Sequence, residues 1–161
     1  MQKSIRFSTK CLLVAGLLLA TLSVSAQVDH DECDNALPLP IDTELNCSVT
    51  FSGSTDGATQ SLPDCNGSLS NDIWYQFTAT TTSYQFNPGV ISFGAGEWGY
   101  EFFSGDCDNL SSIRCEQFQE SHPGVSTQDG FTPGNTYYLR HQTTNAPARF
   151  LWGSIPISFV S

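Results

Sequence analysis

Beyond residue 26 the chain has no lysine, and only Arg114, Arg140 and Arg149 carry a fixed positive charge. All sixteen Asp and Glu residues lie in that same stretch, three positive charges against sixteen negative, a formal −13. A surface of that sign repels nucleic acid and anionic membranes, and it favours cations, basic partners or simple solubility. Long apolar runs are missing too. After residue 26 nothing approaches the roughly 20 residues a helix needs to cross a bilayer, so no membrane span is expected. No window shows apolar residues at helical spacing. Hydrolytic motifs are absent, with neither a G-x-S-x-G turn nor an H-E-x-x-H helix. His30, His122 and His141 are the only imidazoles available as a base. No catalytic residue is expected, and a small hydrolase is the least favoured class.

The first 26 residues have a different character. Lys3, Arg6 and Lys10 precede an apolar run from Cys11 to Leu22, followed by the small residues Val24-Ser25-Ala26. That order predicts a signal peptide over 1–26 and a single domain over 27–161. It implies a secreted or extracellular location, or alternatively a periplasmic or surface-associated one. An exported chain meets oxidising conditions, so Cys33, Cys47, Cys65, Cys107 and Cys115 read first as a disulfide framework. Five is odd, which leaves one thiol over.

Short alternating, aromatic-rich runs recur through the domain between clusters of Gly, Pro, Asn, Asp and Ser. They are Ser48–Ser54, Asp72–Thr80, Ser83–Phe93, Trp98–Ser104, Ile113–Phe118, Thr136–Thr143 and Ala148–Val160. This is the pattern of an all-β sandwich or barrel with about seven to nine antiparallel strands. Parity predicts the inward faces: Ile73, Tyr75, Phe77 and Ala79; Trp98, Tyr100 and Phe102; Tyr137 and Leu139. Trp74, Gln76, Tyr138 and Arg140 fall on the opposite side. His141 shares the inward period of its strand.

Several segments then occur in a telling order. Asp31-Glu32-Cys33-Asp34-Asn35-Ala36 is followed by a Leu/Pro run, Gly53-Ser54-Thr55-Asp56-Gly57-Ala58-Thr59 and Cys65. Next come Asn71-Asp72-Ile73-Trp74-Tyr75-Gln76-Phe77-Thr78 and Phe103-Ser104-Gly105-Asp106-Cys107. Pro133-Gly134-Asn135-Thr136-Tyr137-Tyr138-Leu139-Arg140 closes the series. Together they resemble the β-sandwich modules of exported Bacteroidetes proteins, which are similar to bacterial pre-peptidase C-terminal domains. The resemblance implies a jelly-roll-like sandwich that binds, adheres or targets and has no catalytic residues of its own. Such modules often carry a last-strand cysteine that meets the first one, and here Ser158 occupies that place, which leaves Cys33 unpaired. Cys107 and Cys115 flank a short loop and are expected to pair, as are Cys47 and Cys65. Other pairings of the three N-terminal cysteines remain open.

Candidate binding residues are few. Trp98 stands between glycines beside Glu97 and ahead of Tyr100, an arrangement suited to stacking on a sugar ring or gripping a peptide side chain if the indole is exposed. The competing reading places Trp98 at the start of a core strand. Asp106 and Asp108, and the acids at 29, 31, 32 and 34, could offer oxygens to Ca²⁺, although neither group has EF-hand spacing. No other cofactor is expected. The function these observations favour is a secreted non-catalytic binding or adhesion module with a carbohydrate or extracellular protein as partner. The alternative is a structural or assembly component of the cell surface, joined through Cys33 or an edge strand. Oligomeric state is not legible.

Overall fold

The computed structural model describes residues 28–41, 51–65, 67, 69–86, 96–119, 126–144 and 149–152. The expected signal peptide, Cys47, His122 and Ser158 lie outside them. Among the described residues the chain is all-β apart from one 3-10 turn, Cys33–Asn35. The strands are β1 (Leu37–Pro38), β2 (Phe51–Ser54), β3 (Asn71–Thr78), β4 (Ser83–Phe86), β5 (Glu97–Ser104), β6 (Ser111–Gln119), β7 (Ser126–Asp129), β8 (Thr136–Thr143) and β9 (Arg149–Trp152). Five of them form one sheet in the order β1-β3-β8-β5-β6, and β2-β9 and β4-β7 form two-stranded pairs. One expectation is corrected: β1 runs parallel to β3, with Leu37 opposite Tyr75 and Pro38 opposite Gln76. A two-residue strand ending in proline suits an edge, where a missing N–H breaks no ladder.

Parity sorts the sheet into two faces. On the first, Ile73, Tyr75 and Phe77 of β3 join Tyr137 and Leu139 of β8 and Trp98, Tyr100 and Phe102 of β5 in one buried cluster. The β4–β7 pair covers this face, contributing Tyr84 and Phe86. Phe77 meets Tyr84 and Phe131 edge-on, each with centroids 5.5 Å apart, and Phe86 lies 4.6 Å from Phe102. Rings of this size bury large apolar areas, and edge-to-face pairs add about 0.5–1.5 kcal/mol each. Their hydroxyls close turns: Tyr84 accepts from the Thr80 amide at 2.6 Å and Tyr137 from the Thr132 amide at 2.8 Å.

The opposite face is covered by irregular chain. Cys33, Ala36 and Leu62 pack there with Trp74 and Phe103, whereas Leu39 and Ala58 of the same segments turn to the aromatic cluster, and backbone of both segments pairs with β3. The Trp74 amide donates to His30 O at 2.8 Å and the Asp72 amide to Thr59 O at 2.9 Å. β7 has no apolar signature (STQD), and only Gln128 is buried, donating to the Tyr100 hydroxyl at 3.2 Å. Alternation therefore misses it.

Candidate functional site

The second face begins as two rows of cross-strand neighbours. Trp74, Arg140, Glu101 and Cys115 stand side by side across β3, β8, β5 and β6, and next to them Asp72, Gln142, Gly99 and Gln117. Most of these are polar residues that an open face would give to solvent. Here Asp72, Glu101, Arg140 and Gln142 are all buried, with Arg140 only 1% exposed.

Burial of a guanidinium is tolerable only if every N–H finds an acceptor. Arg140 meets that requirement. Nη1 donates to Leu62 O at 2.9 Å and Asp72 Oδ2 at 3.4 Å, and Nη2 to Pro63 O at 3.0 Å and Glu101 Oε2 at 2.7 Å. With its amide oxygen turned inward, Gln142 accepts from Nε at 2.6 Å. The guanidinium carbon also sits over the Trp74 and Phe103 rings, 5.7 and 5.5 Å from their centroids. Burial pushes the Asp72 carboxyl up to about 6, with the Ser61 hydrogen bonds and Arg140 pulling the other way.

Residues 59–65, 67, 69 and 70 form the lid over this cluster and line a groove. Ser61 donates to Asp72 through its hydroxyl at 2.8 Å and accepts from the Trp74 indole at 2.9 Å. Asp64 takes the Gly67 and Leu69 amides, and Gln117 Nε2 at 3.2 Å, so the loop folds around one carboxylate. The groove is open, about 500 Å³ in volume, with Gln60, Ser61, Leu62, Pro63, Asp64 and Ser70 among its walls. Amide, hydroxyl and carboxylate groups alternate there with short apolar surfaces.

The disulfides anchor this layer, and they differ from the expected pairs. Cys33 is bonded to Cys107 and Cys65 to Cys115. Cys107 lies in the β5–β6 connection, whereas Cys115 stands four residues into β6, about 13 Å along a strand at 3.3 Å per residue. Each cysteine instead meets a segment of the covering layer. Cys33 is therefore not the unpaired thiol.

The other expected site residues are placed as follows. Trp98 and Tyr100 are each 1% exposed, part of the aromatic core, so they offer no stacking platform. The core reading of Trp98 is the correct one, with Phe118 packed 4.5 Å from its ring. Glu97 is half-buried at the start of β5. Asp106 and Asp108 are exposed in the β5–β6 connection, Asp106 accepting from Asn109 Nδ2 at 3.5 Å. Asp31 is buried and holds the Thr59 amide at 2.6 Å and hydroxyl at 2.8 Å, a structural role. Among the described residues, metal-type ligand atoms converge only at Cys65, Glu101 and Cys115, and both sulfurs there are in the disulfide. His141 is fully buried in the aromatic core, which drives its pKa down to about 3, and burial also lowers His30.

The Arg140 cluster is what sequence reasoning missed. One signal was present: Arg140 is one of three basic residues after position 26, and it sits mid-strand between Leu139 and His141. Its acceptors lie up to 78 positions away in sequence, beyond the reach of local pattern. No protein-family model matches the chain, and no curated protein or solved structure matches it significantly.

Proposed function

We propose that this chain is an exported, non-catalytic binding module that takes a carbohydrate or an extracellular protein into the groove lined by Gln60, Ser61, Leu62, Pro63, Asp64 and Ser70. The observation that carries this reading is the groove itself. Its hydrogen-bonding side chains stand on a segment already anchored to a rigid sheet, so little ordering entropy would be lost on binding. The two disulfides fit a non-reducing compartment. No helix among the described residues is long and apolar enough to cross a membrane, a statement that does not extend to strands.

A glycan and matrix-protein array is the direct test. Saturable capture is expected, weakened about tenfold or more by Gln60→Ala, which removes an amide of the groove wall together with its hydrogen bond to Leu69 O. Gly67→Asn is expected to weaken it further. Gly67 lines the groove and an added Cβ there meets no neighbouring atom, so the added bulk falls in open space beside the ligand; φ +86° strains any L residue, and Asn bears that region at least cost. A blank array, or binding indifferent to both changes, would overturn the reading.

A second reading, surface assembly, is favoured by β6. It is a nine-residue sheet edge with no neighbour on its outer side among the described residues. Such an edge can template pairing with another chain. A concentration-independent monomer in sedimentation would remove that reading.

A further inference from the structure

The two bridges hold the covering layer in different ways. Cys33 and Cys107 are both half-buried and join the 3-10 turn to the β5–β6 connection, while Cys65 is exposed and ties the groove segment directly to the middle of β6. The segment is firmly hinged at both ends. Ala58 belongs to the aromatic core and Thr55 Oγ1 bonds Thr143 Oγ1 at 2.9 Å, and β3 begins at Asn71. Between those hinges the non-covalent contacts are polar: the Ser61 amide and hydroxyl donate to Asp72 while its oxygen accepts from the Trp74 indole, Asp64 accepts from Gln117, and the Leu62 and Pro63 carbonyls accept from Arg140. Leu69 is buried and Leu62 packs on the Trp74 cluster, which is little apolar surface for a span of this length.

We propose that Cys65–Cys115 is a redox latch on the groove: when a dithiol opens it, the groove-lining residues from Gln60 to Asp64 leave the sheet face and the groove dissolves, while the aromatic core stays folded. The binding half of this proposal rests on the groove being the module's ligand site; the structural half does not. A thiolate of the dithiol attacks the exposed Cys65 Sγ, the Cys65–Cys115 bond breaks, and Cys115 leaves as a thiolate that takes a proton. The second thiol of the reagent then displaces Cys65, closing its own disulfide. Two electrons pass from the dithiol to the bridge. Arg140 loses the Leu62 and Pro63 carbonyls to water but keeps Asp72, Glu101 and Gln142, so the strands beneath remain paired.

The test is hydrogen exchange read by mass spectrometry on the full chain during a dithiol titration, with alkylation reporting which cysteines open. Cys65 and Cys115 are expected to be alkylated first. Amides of residues 60–64 should then exchange about tenfold faster or more, as local opening predicts, while those of β3, β5 and β8 stay within about twofold. The proposal is overturned if Cys33 and Cys107 open first, if residues 60–64 keep their protection, or if all strands lose protection together. The Cys65→Ser/Cys115→Ser pair should show the open pattern without reductant, and its failure to fold would equally overturn the latch. A glycan captured by the oxidised chain should lose at least about tenfold in affinity after reduction. If the oxidised chain captures nothing, the binding reading fails while exchange still judges the latch.

Discussion

Arg140 is a buried cation whose removal leaves two carboxylates without their partner. Arg140→Ala should therefore destabilise the fold by about 3–5 kcal/mol in urea titration, the range for breaking a buried pair. Arg140→Met combined with Asp72→Asn and Glu101→Gln should recover much of that loss, since no charge is then stranded. If the single and the triple variants were equally unstable, packing over Trp74 would be what matters. His141 and Asp72 give a second expectation at this scale, with opposite signs. The folded pKa of His141, about 3, lies below its unfolded 6.5, so stability present above pH 6.5 is lost as pH falls. The folded pKa of Asp72, about 6, lies above its unfolded 3.8, so it adds stability as pH falls from 6 to 3.8. The two slopes oppose between those limits. Below pH 3.8 Asp72 is protonated in both states, so of these two groups only His141 still contributes, at about 1.4 kcal/mol per pH unit down to about pH 3. His141→Leu should abolish that final drop and leave a rise in stability between pH 6 and 3.8, read by urea midpoints at constant salt.

At the scale of elements, β5 is held closely between its neighbours and the lid. A Cβ on Gly99 would lie 2.6 Å from Glu116 O and 3.0 Å from Leu69 Cδ1, so β6 or the lid must shift. Gly99→Ala is expected to cost about 1–3 kcal/mol by overpacking, measured by thermal unfolding. The β5–β6 connection relies on Gly105 in the left-handed region, at φ +100°. Within β6, Ile113 is an extra residue between the partners of Phe102 and Phe103, a bulge that bends the strand. Most strands were legible because aromatic alternation is strong where one face meets a core, as in Ile73-Tyr75-Phe77. β1 and β7 were not, because a two-residue Leu-Pro strand and a Ser-Thr-Gln-Asp strand carry no period. Their pairing is imposed by neighbours.

Among the described residues the five-stranded sheet has one face packed with rings and one covered by irregular chain. The aromatic face holds by burial, while the other buries charge and relies on covalent ties. Loss of Cys33–Cys107, which spans 74 residues, should cost about 2–4 kcal/mol in thermal unfolding of Cys33→Ala/Cys107→Ala. An unchanged midpoint would mean the N-terminal segment stays docked through His30, Asp31 and β1 alone.

The sequence by itself determined the all-β class, the inward parity of β3, β5 and β8, and the acidic character, because each depends on composition or on neighbours two residues apart. Tertiary structure decided the rest. It turned Trp98 and Tyr100 from candidate ligand contacts into core, since exposure depends on what packs above a strand. It paired Cys33 with Cys107 and Cys65 with Cys115, since bridging follows distance in space. It gathered Asp72, Glu101 and Arg140 from three strands under a lid, because buried charges find their acceptors through register.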